Sequence, residues 1–347
     1  MNNISIDNFL IGKNGVFIIA EMSANHNGDK QIAIDTIRAA KKAGADAIKL
    51  QTYTPNTITI DCDNEYFQIK EGLWEGNTLY ELYGEAYTPW EWHEELFQVA
   101  KEEGLVCFSS PFDKTAVDFL EELNTPAYKI ASFEVQDIPL IEYASSKGKP
   151  IIMSTGIATE EDIRLAVETC RKVGNEEIIL LKCTSSYPAP IELANLKTMV
   201  DMKERFGVEI GLSDHTIGNT VPIVATGLGA KVIEKHFILD KSIGGPDADF
   251  SLEFQEFSSM VKSVREAEKA LGEVTYELTK KMEKNKKFAR SLFFVKDIEK
   301  GEKLTEENVR SIRPGYGLHP KYFNKILGRK AKEKIEKGTP LTSDIII

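Results

Sequence analysis

Short apolar runs alternate along most of the chain with longer segments whose apolar residues recur about every 3.6 positions. The first pattern is typical of buried strands and the second of helices that bury one face. Eight strands that are each followed by a helix predict an α/β fold of the (β/α)8 barrel type. An open doubly wound sheet is the alternative, but it would more often carry a Gly-rich fingerprint after its first strand, and this sequence has none there. The predicted strands are 16–20, 47–51, 106–110, 127–131, 150–154, 178–182, 209–213 and 232–236.

Cap residues mark where several of the helices begin. Residues 88–91, Thr-Pro-Trp-Glu, have the pattern of a capping box with proline at the first helical position, and they predict a helix that runs towards Gly104. A second helix is predicted to start at Thr159, and the last helix of the barrel is predicted over 255–271.

Residues 52–87 are the one long interruption of this alternation, after the second predicted strand. Loops of that length are usually functional, and in barrels the loops that follow strands lie on the active face. An aromatic cluster that only packs the loop onto the barrel rim is an equally open interpretation. The aromatic residues concerned are Tyr66, Phe67, Trp74, Tyr80, Tyr83 and Tyr87.

The C-terminal part of the chain differs from the rest. Residues 273–286 are polar and rich in Lys and Glu, as in a linker. The pattern IEKG followed by LT at 298–305 recurs at 335–342, which predicts a small pseudo-symmetric β-rich domain. We therefore expect a barrel over 1–272, a linker over 273–286 and a small domain over 287–347.

Charge is divided unevenly between these parts. Residues 287–347 hold 14 Lys and Arg against 8 Asp and Glu, a net charge of +6. The whole chain has a net charge of −11. Residues 1–286 therefore hold 29 basic and 46 acidic residues, a net charge of −17. A basic domain on an acidic body fits docking within the chain or onto a partner subunit, and it also fits a solvated basic face.

Composition excludes several classes of protein. With 42% hydrophobic and 28% charged residues the chain is globular, and its acidic surface makes nucleic acid and anionic membranes poor partners. No apolar run approaches the roughly 18 residues of a membrane helix, and residues 1–7 lack the basic and apolar regions of a signal peptide. The four cysteines show neither metal-ligand nor redox spacing, so we expect reduced thiols in a cytoplasmic enzyme.

Two lysines, Lys49 and Lys129, lie within otherwise apolar strands, and a buried lysine needs a partner or loses its proton. Together with hydroxyl groups at the strand ends they would form an anion pocket suited to a phosphate plus a carboxylate. Interior ion pairs with Glu21 or Glu234 and a Schiff-base lysine are the two other interpretations. The hydroxyl residues are Ser109, Ser110, Ser132, Ser154, Thr155, Ser185 and Ser213.

Two histidines, His215 and His236, fall at the ends of the seventh and eighth predicted strands, which are neighbours in a barrel. Two imidazoles that meet there could bind one divalent metal whose shell is completed by oxygen ligands. His93 lies on a predicted helix and is expected to be structural, whereas His26 follows the first strand and could contact substrate.

With these residues in place the sequence closely resembles the sialic acid synthase family and, within it, the pseudaminic acid synthases, over essentially its whole length. The matching stretches in the barrel are IIAEMSANHNGD (18–29), AGADAIKLQTYTP (43–55), FSSPFD (108–113), YKIASFE (128–134), MSTGIAT (153–159), KCTSSYPAP (182–190), GLSDHTIG (211–218), VIEKHF (232–237) and GGPDADFSLE (244–253). FARSLFFVKDIEKGE (288–302) and SIRPGYGLHP (311–320) are the matching stretches of the C-terminal part.

The resemblance implies a (β/α)8 TIM barrel followed by a small β-rich SAF (antifreeze-like) domain. It also implies a homodimer in which each SAF domain lies over the partner's barrel. The implied reaction joins phosphoenolpyruvate to an open-chain amino-sugar aldehyde and releases phosphate, with a divalent metal, Mn²⁺, Mg²⁺ or Co²⁺, at the aldehyde oxygen. C3 of phosphoenolpyruvate attacks the aldehyde carbon, water adds at C2, and the resulting hemiketal phosphate collapses with C–O cleavage.

The resemblance also implies roles for particular residues. Glu21, His215 and His236 match the catalytic positions, and the two histidines match the metal ligands. Arg313, like Phe288, would close over the sugar, and it would come from the partner subunit. The positions matching those that bind phosphoenolpyruvate are Lys49, Ser109, Lys129, Ser132, Ser154, Ser185 and Ser213. Those that would face the sugar are Gln51, Glu134, Tyr187, Asp247, Phe288 and Arg313.

The pseudaminic branch is indicated by KLQTYTP, by residues 72–74 and by GGPDADFSLE. Neuraminate synthases typically have a histidine after the aspartate of this last motif, where this chain has Ala248. A less polar pocket there would suit 2,4-diacetamido-2,4,6-trideoxy-L-altrose. The alternative is an N-acetylneuraminate or legionaminate synthase that uses N-acetylmannosamine or a related sugar. A Schiff-base aldolase acting on pyruvate and a sugar-binding barrel without catalysis are the candidates from other classes.

Overall fold

The computed structural model describes residues 4–72 and 74–347. The amino-terminal residues 1–3 and Leu73, which belongs to one of the stretches that indicate the pseudaminic branch, lie outside the described residues. The chain divides into two compact units, Met1–Gly272 and Glu273–Ile347, and each is described by itself.

The first unit is built around a closed barrel of eight parallel strands, which confirms the predicted fold class and excludes the open sheet. Each strand pairs with the next along the chain, and the last pairs with the first. A short antiparallel pair, β1 (Ser5–Ile6) and β2 (Phe9–Leu10), precedes them. The ends of every barrel strand lie within one residue of the prediction. The barrel strands are β3 (Phe17–Glu21), β4 (Ala47–Thr52), β5 (Val106–Pro111), β6 (Tyr128–Ile130), β7 (Ile151–Ser154), β8 (Ile178–Cys183), β9 (Glu209–Asp214) and β10 (Val232–His236).

Helices follow the strands and cover the outside of the barrel. Over residues 4–72 and 74–272, no helix is long and apolar enough to cross a membrane. The α-helices of this unit are α1 (Lys30–Ala43), α2 (Pro55–Ile58), α3 (Leu79–Ala86), α4 (Trp90–Glu102), α5 (Lys114–Glu122), α6 (Ile138–Ser145), α7 (Glu160–Lys172), α8 (Lys197–Phe206), α9 (Thr220–Gly227) and α10 (Phe254–Leu271). Short 3₁₀ helices span Ile191–Leu193, Lys241–Ile243 and Ala248–Phe250.

Two of the predicted helix starts agree with the structure and one differs. Helix α7 begins after Thr159, as predicted, and has a capping box there, and α10 begins one residue before its predicted start. Helix α4 is capped by Pro89 rather than by a Thr88 capping box. The Thr88 hydroxyl is instead buried and lies 3.1 Å from His26 Nε2, because a tertiary contact takes the place of the local cap.

Strand alternation divides the barrel interior into an apolar base and a polar top. The inward residues of the lower half form one apolar cluster, which includes Phe17, Ile19 and Ala47. The next inward positions on the same two strands are Glu21 and Lys49, two residues further along. The polar side chains therefore meet at the C-terminal ends of the strands, where barrels place their active sites.

His26 and His93 are both buried and both bonded within the protein. His26 Nδ1 accepts from Gly28 N at 3.1 Å, and His93 Nε2 lies 2.9 Å from the Thr52 hydroxyl. Burial lowers the pKa of each imidazole to about 4. His93 is structural, as expected, and the two partners of His26 leave its ring no free nitrogen for a substrate.

These low pKa values predict a loss of stability in acid. An unfolded histidine binds a proton below about pH 6.5 and the folded one does not until about pH 4, so stability falls as pH drops through this window. The variant His93→Gln keeps a hydrogen-bond partner for Thr52 but has no imidazole at this position. Between pH 7.5 and 5.5 we expect its free energy of unfolding to fall by about 1 kcal/mol less than that of the wild type. Urea unfolding at the two pH values measures this difference, and equal losses would contradict it.

The second unit contains α11 (Lys280–Asn285), α12 (Phe323–Ile326) and an antiparallel pair, β11 (Ser291–Phe294) and β12 (Val309–Ile312). Its 3₁₀ helices span Lys286–Phe288 and Pro320–Tyr322. The two copies of the internal repeat pair with each other in the structure. Ile298 and Ile335, which occupy equivalent positions in the two copies, exchange two backbone hydrogen bonds of 2.9 Å. Leu304 and Leu341, the next equivalent pair, are buried in the same small core.

Candidate active site

A cavity lies at the C-terminal ends of the barrel strands, and most of the predicted site residues line it. Ser109, Ser185, Phe288 and Arg313 are the predicted residues that do not belong to this lining. Those that do are Glu21, Lys49, Gln51, Lys129, Ser132, Glu134, Ser154, Tyr187, Ser213, His215, His236 and Asp247.

Four charged residues form the cavity floor, and each is at least 95% buried: Glu21, Lys49, Lys129 and Glu234. Lys49 Nζ lies 2.5 Å from Glu21 Oε2 and 3.8 Å from Glu234 Oε2. Lys129 Nζ lies 3.3 Å from Glu234 Oε1. Interior ion pairs, one of the interpretations left open by the sequence, are therefore present. Both lysines also line the cavity, so the same cations are within reach of an anionic ligand.

Burial and the neighbouring charges set the protonation of this floor. Burial raises the pKa of Glu21 to about 7, against the opposing effect of Lys49. Burial acts on Glu234 in the same direction, but Lys129 and Lys49 outweigh it and hold the pKa of Glu234 below its usual value. Burial lowers the pKa of Lys129. With Glu21 partly protonated near neutral pH, the two lysines face less than two full negative charges, which favours an anionic ligand beside them.

Hydroxyl groups surround Gly156 beside this floor. Among the described residues the hydroxyl oxygens of Ser154 and Ser185 are buried without a hydrogen-bond partner, whereas Ser132 Oγ accepts from Gly156 N at 3.2 Å. A Cβ at Gly156 would lie 2.1 Å from Ser185 Oγ and 2.7 Å from Ser132 Oγ, so only glycine leaves these hydroxyls their room. Because an unpaired buried hydroxyl is costly, the arrangement suits a ligand that accepts hydrogen bonds, such as phosphate.

Ser109 and Ser110 are placed differently from the prediction. The Ser109 hydroxyl lies 2.7 Å from that of Thr52, in the network that contains His93, outside the cavity lining. Ser110 shares the inward face of β5 with Phe108, and its hydroxyl accepts from Lys49 Nζ at 3.3 Å. Neither serine therefore lines the cavity, but Ser110, and not Ser109, contacts a lysine of its floor.

His215 and His236 are brought together as predicted, with ring centroids 5.3 Å apart. His215 Nδ1 lies 3.1 Å from the carbonyl oxygen of Thr184, and because a carbonyl only accepts, this nitrogen carries the proton and Nε2 is left as the lone-pair donor. His236 Nδ1 is buried with no hydrogen-bond partner among the described residues, and Asp247 Oδ2 lies 3.8 Å from it.

The two imidazoles supply only part of the ligand shell of a divalent metal. Within residues 4–72 and 74–347, no three His, Cys, Asp or Glu side chains are grouped as a metal site. The unpaired His236 Nδ1 and the ring orientation that Thr184 imposes on His215 are nevertheless what two imidazole ligands need. The residues fit a metal ion only if oxygen atoms of water or substrate complete its shell.

The remaining polar groups have spare hydrogen-bonding capacity towards the cavity. Gln51 Nε2 donates to Glu21 Oε1 at 3.0 Å and to Ser23 Oγ at 2.8 Å, which leaves its carbonyl oxygen for a ligand. Burial raises the pKa of Glu134 to about 7, and its Oε2 has no hydrogen-bond partner in the described part of the chain. The Tyr187 ring lies 4.5 Å from that of His215. A ligand rich in hydroxyl and amide groups suits this wall.

The long segment after β4 lines the cavity and also packs aromatic rings against the barrel, so both interpretations of its sequence apply. Trp74 and Tyr83 line the cavity, and Trp74 Nε1 donates to the carbonyl oxygen of Pro246, another lining residue, at 3.2 Å. Tyr83 packs 5.7 Å from Tyr53, ring to ring. Tyr66 is 81% exposed and belongs to neither arrangement.

Phe288 and Arg313 lie in the second unit, and both are exposed. Their predicted contact with the sugar stays a prediction. The structure also adds cavity residues that were not predicted as site residues, among them Ser23, Glu234 and Phe250. From the sequence, Glu234 was considered only as an ion-pair partner of the lysines, although its place in an apolar strand two residues before His236 also indicates the cavity. Ser23 and Phe250 carry no such signal.

Comparisons with known proteins agree with this geometry. The NeuB family pattern matches residues 36–276, and the SAF domain pattern matches residues 289–346. The chain is 53% identical over 338 residues to a "Pseudaminic acid synthase" of Campylobacter jejuni, covering 97% of this chain and 98% of the relative. It is 52% identical over 330 residues to a "Pseudaminic acid synthase" of Helicobacter pylori, covering 95% and 97%. The crystal structure of an N-acetylneuraminic acid (sialic acid) synthetase from Leptospira borgpetersenii, in complex with citrate, matches with a TM-score of 0.72 at 32% identity, covering 82% of this chain and 95% of that one.

Proposed function

The chain belongs to the NeuB family, and from this premise we propose that it condenses phosphoenolpyruvate with 2,4-diacetamido-2,4,6-trideoxy-L-altrose to give pseudaminic acid and phosphate. The observation that carries the proposal is the 53% identity over 97% of the chain to a pseudaminic acid synthase. The cavity supports it independently, because a cationic floor, unpaired hydroxyls and a polar wall suit one anionic and one sugar-like ligand.

Phosphoenolpyruvate binds on the cavity floor. Lys49 and Lys129, which line the cavity, neutralise its carboxylate and phosphate. The unpaired hydroxyl of Ser154, and that of Ser185 beside Gly156 just outside the lining, donate to the phosphate oxygens. Ser132 and Ser213 lie beside them, and Ser110 takes the place that was predicted for Ser109. Since the lysines already have carboxylate partners, they are held in place before the ligand arrives.

The open-chain sugar lies above, with its aldehyde carbon facing C3 of phosphoenolpyruvate. A metal bound by His215 and His236, Mn²⁺, Mg²⁺ or Co²⁺, would supply Lewis acidity at the aldehyde oxygen. Gln51, Glu134, Tyr187 and Asp247 orient the sugar through its hydroxyl and amide groups. This wall fixes the distance between the two reacting carbons, which is the main contribution a protein can make to a bimolecular step.

Bond formation uses the C2–C3 electron pair of phosphoenolpyruvate. It forms the C–C bond to the aldehyde carbon, whose oxygen takes up a proton from solvent, and C2 becomes cationic. Water adds at C2 and gives its proton to Glu21, whose pKa of about 7 suits a group that accepts and returns a proton near neutral pH. The hemiketal phosphate then loses phosphate by C–O cleavage, and the ketone of the product forms.

The functional unit in this proposal is a cytoplasmic homodimer. Its SAF domain, residues 287–347, follows the barrel of residues 1–272 and the linker of 273–286. Phe288 closes over the sugar together with Arg313, and Arg313 comes from the partner subunit. The charge division supports this arrangement, because a basic domain of net charge +6 complements an acidic body of −17.

Phosphate release tests the proposed function. With phosphoenolpyruvate and Mn²⁺, we expect kcat/KM for the trideoxy altrose to exceed that for N-acetylmannosamine by about 100-fold, since the polar groups of the wall are matched to one sugar. Preference for N-acetylmannosamine would overturn the substrate assignment.

Two controls address the other reaction classes. EDTA should abolish phosphate release and added Mn²⁺ restore it, whereas borohydride with pyruvate should leave activity intact. Inactivation by borohydride would instead indicate a Schiff-base aldolase. Sugar binding without phosphate release would indicate a binding protein.

A further inference from the structure

Asp214 and Lys235 form a buried ion pair that the proposed reaction does not use. Lys235 is fully buried and Asp214 is 3% exposed, and Lys235 Nζ lies 2.5 Å from Asp214 Oδ2. Alternation along β9 and β10 turns both side chains away from the cavity, because Ser213 and Glu234 face it. Each member of the pair directly precedes one of the two histidines, His215 and His236.

The pair belongs to a closed network around His215. Asp214 accepts from Thr216 N at 3.0 Å and from the Thr216 hydroxyl at 3.1 Å. Lys235 Nζ also donates to the carbonyl oxygen of Thr216. The residues on both sides of His215 are therefore bonded to a side chain of the neighbouring strand.

His215 needs such support because it lies beyond the end of the strand pairing. The register of β9 and β10 ends where Asp214 lies opposite Lys235, and His215 is the next residue. His236 is still paired, through its backbone position opposite Glu21 on β3. One imidazole is therefore on a regular strand, whereas the other lies at the start of a loop.

Stability alone does not explain this arrangement. A buried ion pair usually contributes no more to stability than an apolar pair of the same size, because both charges must leave water. Its distinctive property is geometry, since the charged groups and Thr216 bond in only one arrangement.

We propose that Asp214, Thr216 and Lys235 are positioning residues, which hold His215 at a fixed distance from His236 and thereby set the affinity of this pair for a divalent metal. The inference rests on the proposed function in one respect, namely that these two imidazoles bind the metal. Outer groups that orient metal ligands typically change metal affinity by about 10–100-fold when they are removed.

The test is a titration of the full-length protein with Mn²⁺, with free Mn²⁺ followed by electron paramagnetic resonance. The main variant is Asp214→Asn with Lys235→Met, which removes one negative and one positive charge and so leaves the net charge unchanged. The asparagine still offers an acceptor for Thr216 N, and the methionine has about the volume of the lysine. We expect its melting temperature to stay near that of the wild type and its Kd for Mn²⁺ to rise about 10–100-fold. Thr216→Val, a milder change, should raise the Kd by a smaller factor and serves if the double variant does not fold.

A matched control is available at the opposite end of the barrel. Arg265 Nη2 lies 2.6 Å from Asp46 Oδ2, which also accepts from Ile18 N at 2.8 Å. This pair is only partly buried, and Arg265 also contacts Glu268. Asp46→Asn with Arg265→Met nevertheless makes the same two substitutions of charge away from the histidines, and its Kd for Mn²⁺ should equal that of the wild type.

The outcomes separate the inference from the proposed function. A wild-type Kd in both the double variant and Thr216→Val, or an equal rise in the control, overturns the inference alone. If the wild type binds no Mn²⁺, or binds it equally well after both histidines are replaced by glutamine, the metal site of the proposed function fails and the inference with it.

Discussion

Replacement of Lys129 by methionine is expected to lower kcat/KM for phosphoenolpyruvate by about 10³-fold. The change removes one of the two cations on the cavity floor, and it leaves Glu234 with a single lysine, Lys49, whose Nζ is 3.8 Å away. Removal of one partner of a buried charge pair typically costs about 2–5 kcal/mol, and about 1.4 kcal/mol corresponds to a factor of ten. Steady-state kinetics with phosphoenolpyruvate varied at saturating sugar measures the loss. We also expect Lys129→Met to unfold more easily, by about 3 kcal/mol, because a buried carboxylate has lost its nearest cation.

The double variant Lys129→Met with Glu234→Gln separates the two effects. It removes one positive and one negative charge together, and Lys49 Nζ keeps its contact of 2.5 Å with Glu21. We therefore expect its free energy of unfolding to return to within about 1 kcal/mol of the wild-type value. Its activity should stay low, since the cation for the substrate is still missing. Recovery of activity in the double variant would show that Lys129 only neutralises Glu234, and it would remove the lysine from the proposed binding site.

The barrel could be predicted from sequence because each strand is a short apolar run between polar residues. That contrast places the ends of β4 or β10 to within one residue, and it makes Lys49 and Lys129 conspicuous inside them. The histidine pair was predictable for the same reason, since consecutive strands are neighbours in a barrel and His215 and His236 end two of them.

It is harder to predict which residues of a buried strand face the barrel interior. In β5 both faces are buried, so the alternation of apolar and polar residues that would distinguish Ser109 from Ser110 is absent. Only the contacts of the folded barrel decide it, where Phe108 joins the inner cluster and Ser110 therefore faces Lys49.

Contacts between distant segments were equally hidden. Trp74 meets the carbonyl of Pro246 across 172 residues of chain, and no local pattern announces the partner. Gly156 has an ordinary backbone conformation, so its necessity comes only from the hydroxyls of Ser132 and Ser185, which arrive from two other loops. At Thr88 a local pattern was present but misleading. The sequence has the pattern of a helix cap there, but the Thr88 hydroxyl bonds to His26 instead.

Replacement of Glu21 by glutamine is expected to lower kcat by about 10²–10³-fold and to leave KM for phosphoenolpyruvate unchanged or lower. Removal of a general base typically costs such a factor, while the loss of a negative charge 2.5 Å from Lys49 makes the floor more attractive to an anion. Because the pKa of Glu21 is about 7 and the ionised form accepts the proton, wild-type kcat should rise as pH increases through 7. The Glu21→Gln variant should lack this rise, as measured by kcat between pH 6 and 8.5.

Glu134→Gln is the matched control, because burial raises the pKa of Glu134 to about 7 as well. If Glu134 faces the sugar and takes no part in proton transfer, its variant should raise KM for the sugar and keep the wild-type dependence of kcat on pH. The two variants then differ in which parameter changes, although both remove a buried carboxyl of similar pKa. A pH rise that persists in Glu21→Gln and disappears in Glu134→Gln would transfer the role of base to Glu134. Its Oε2 has no hydrogen-bond partner among the described residues, so it could accept the proton of water in the place of Glu21.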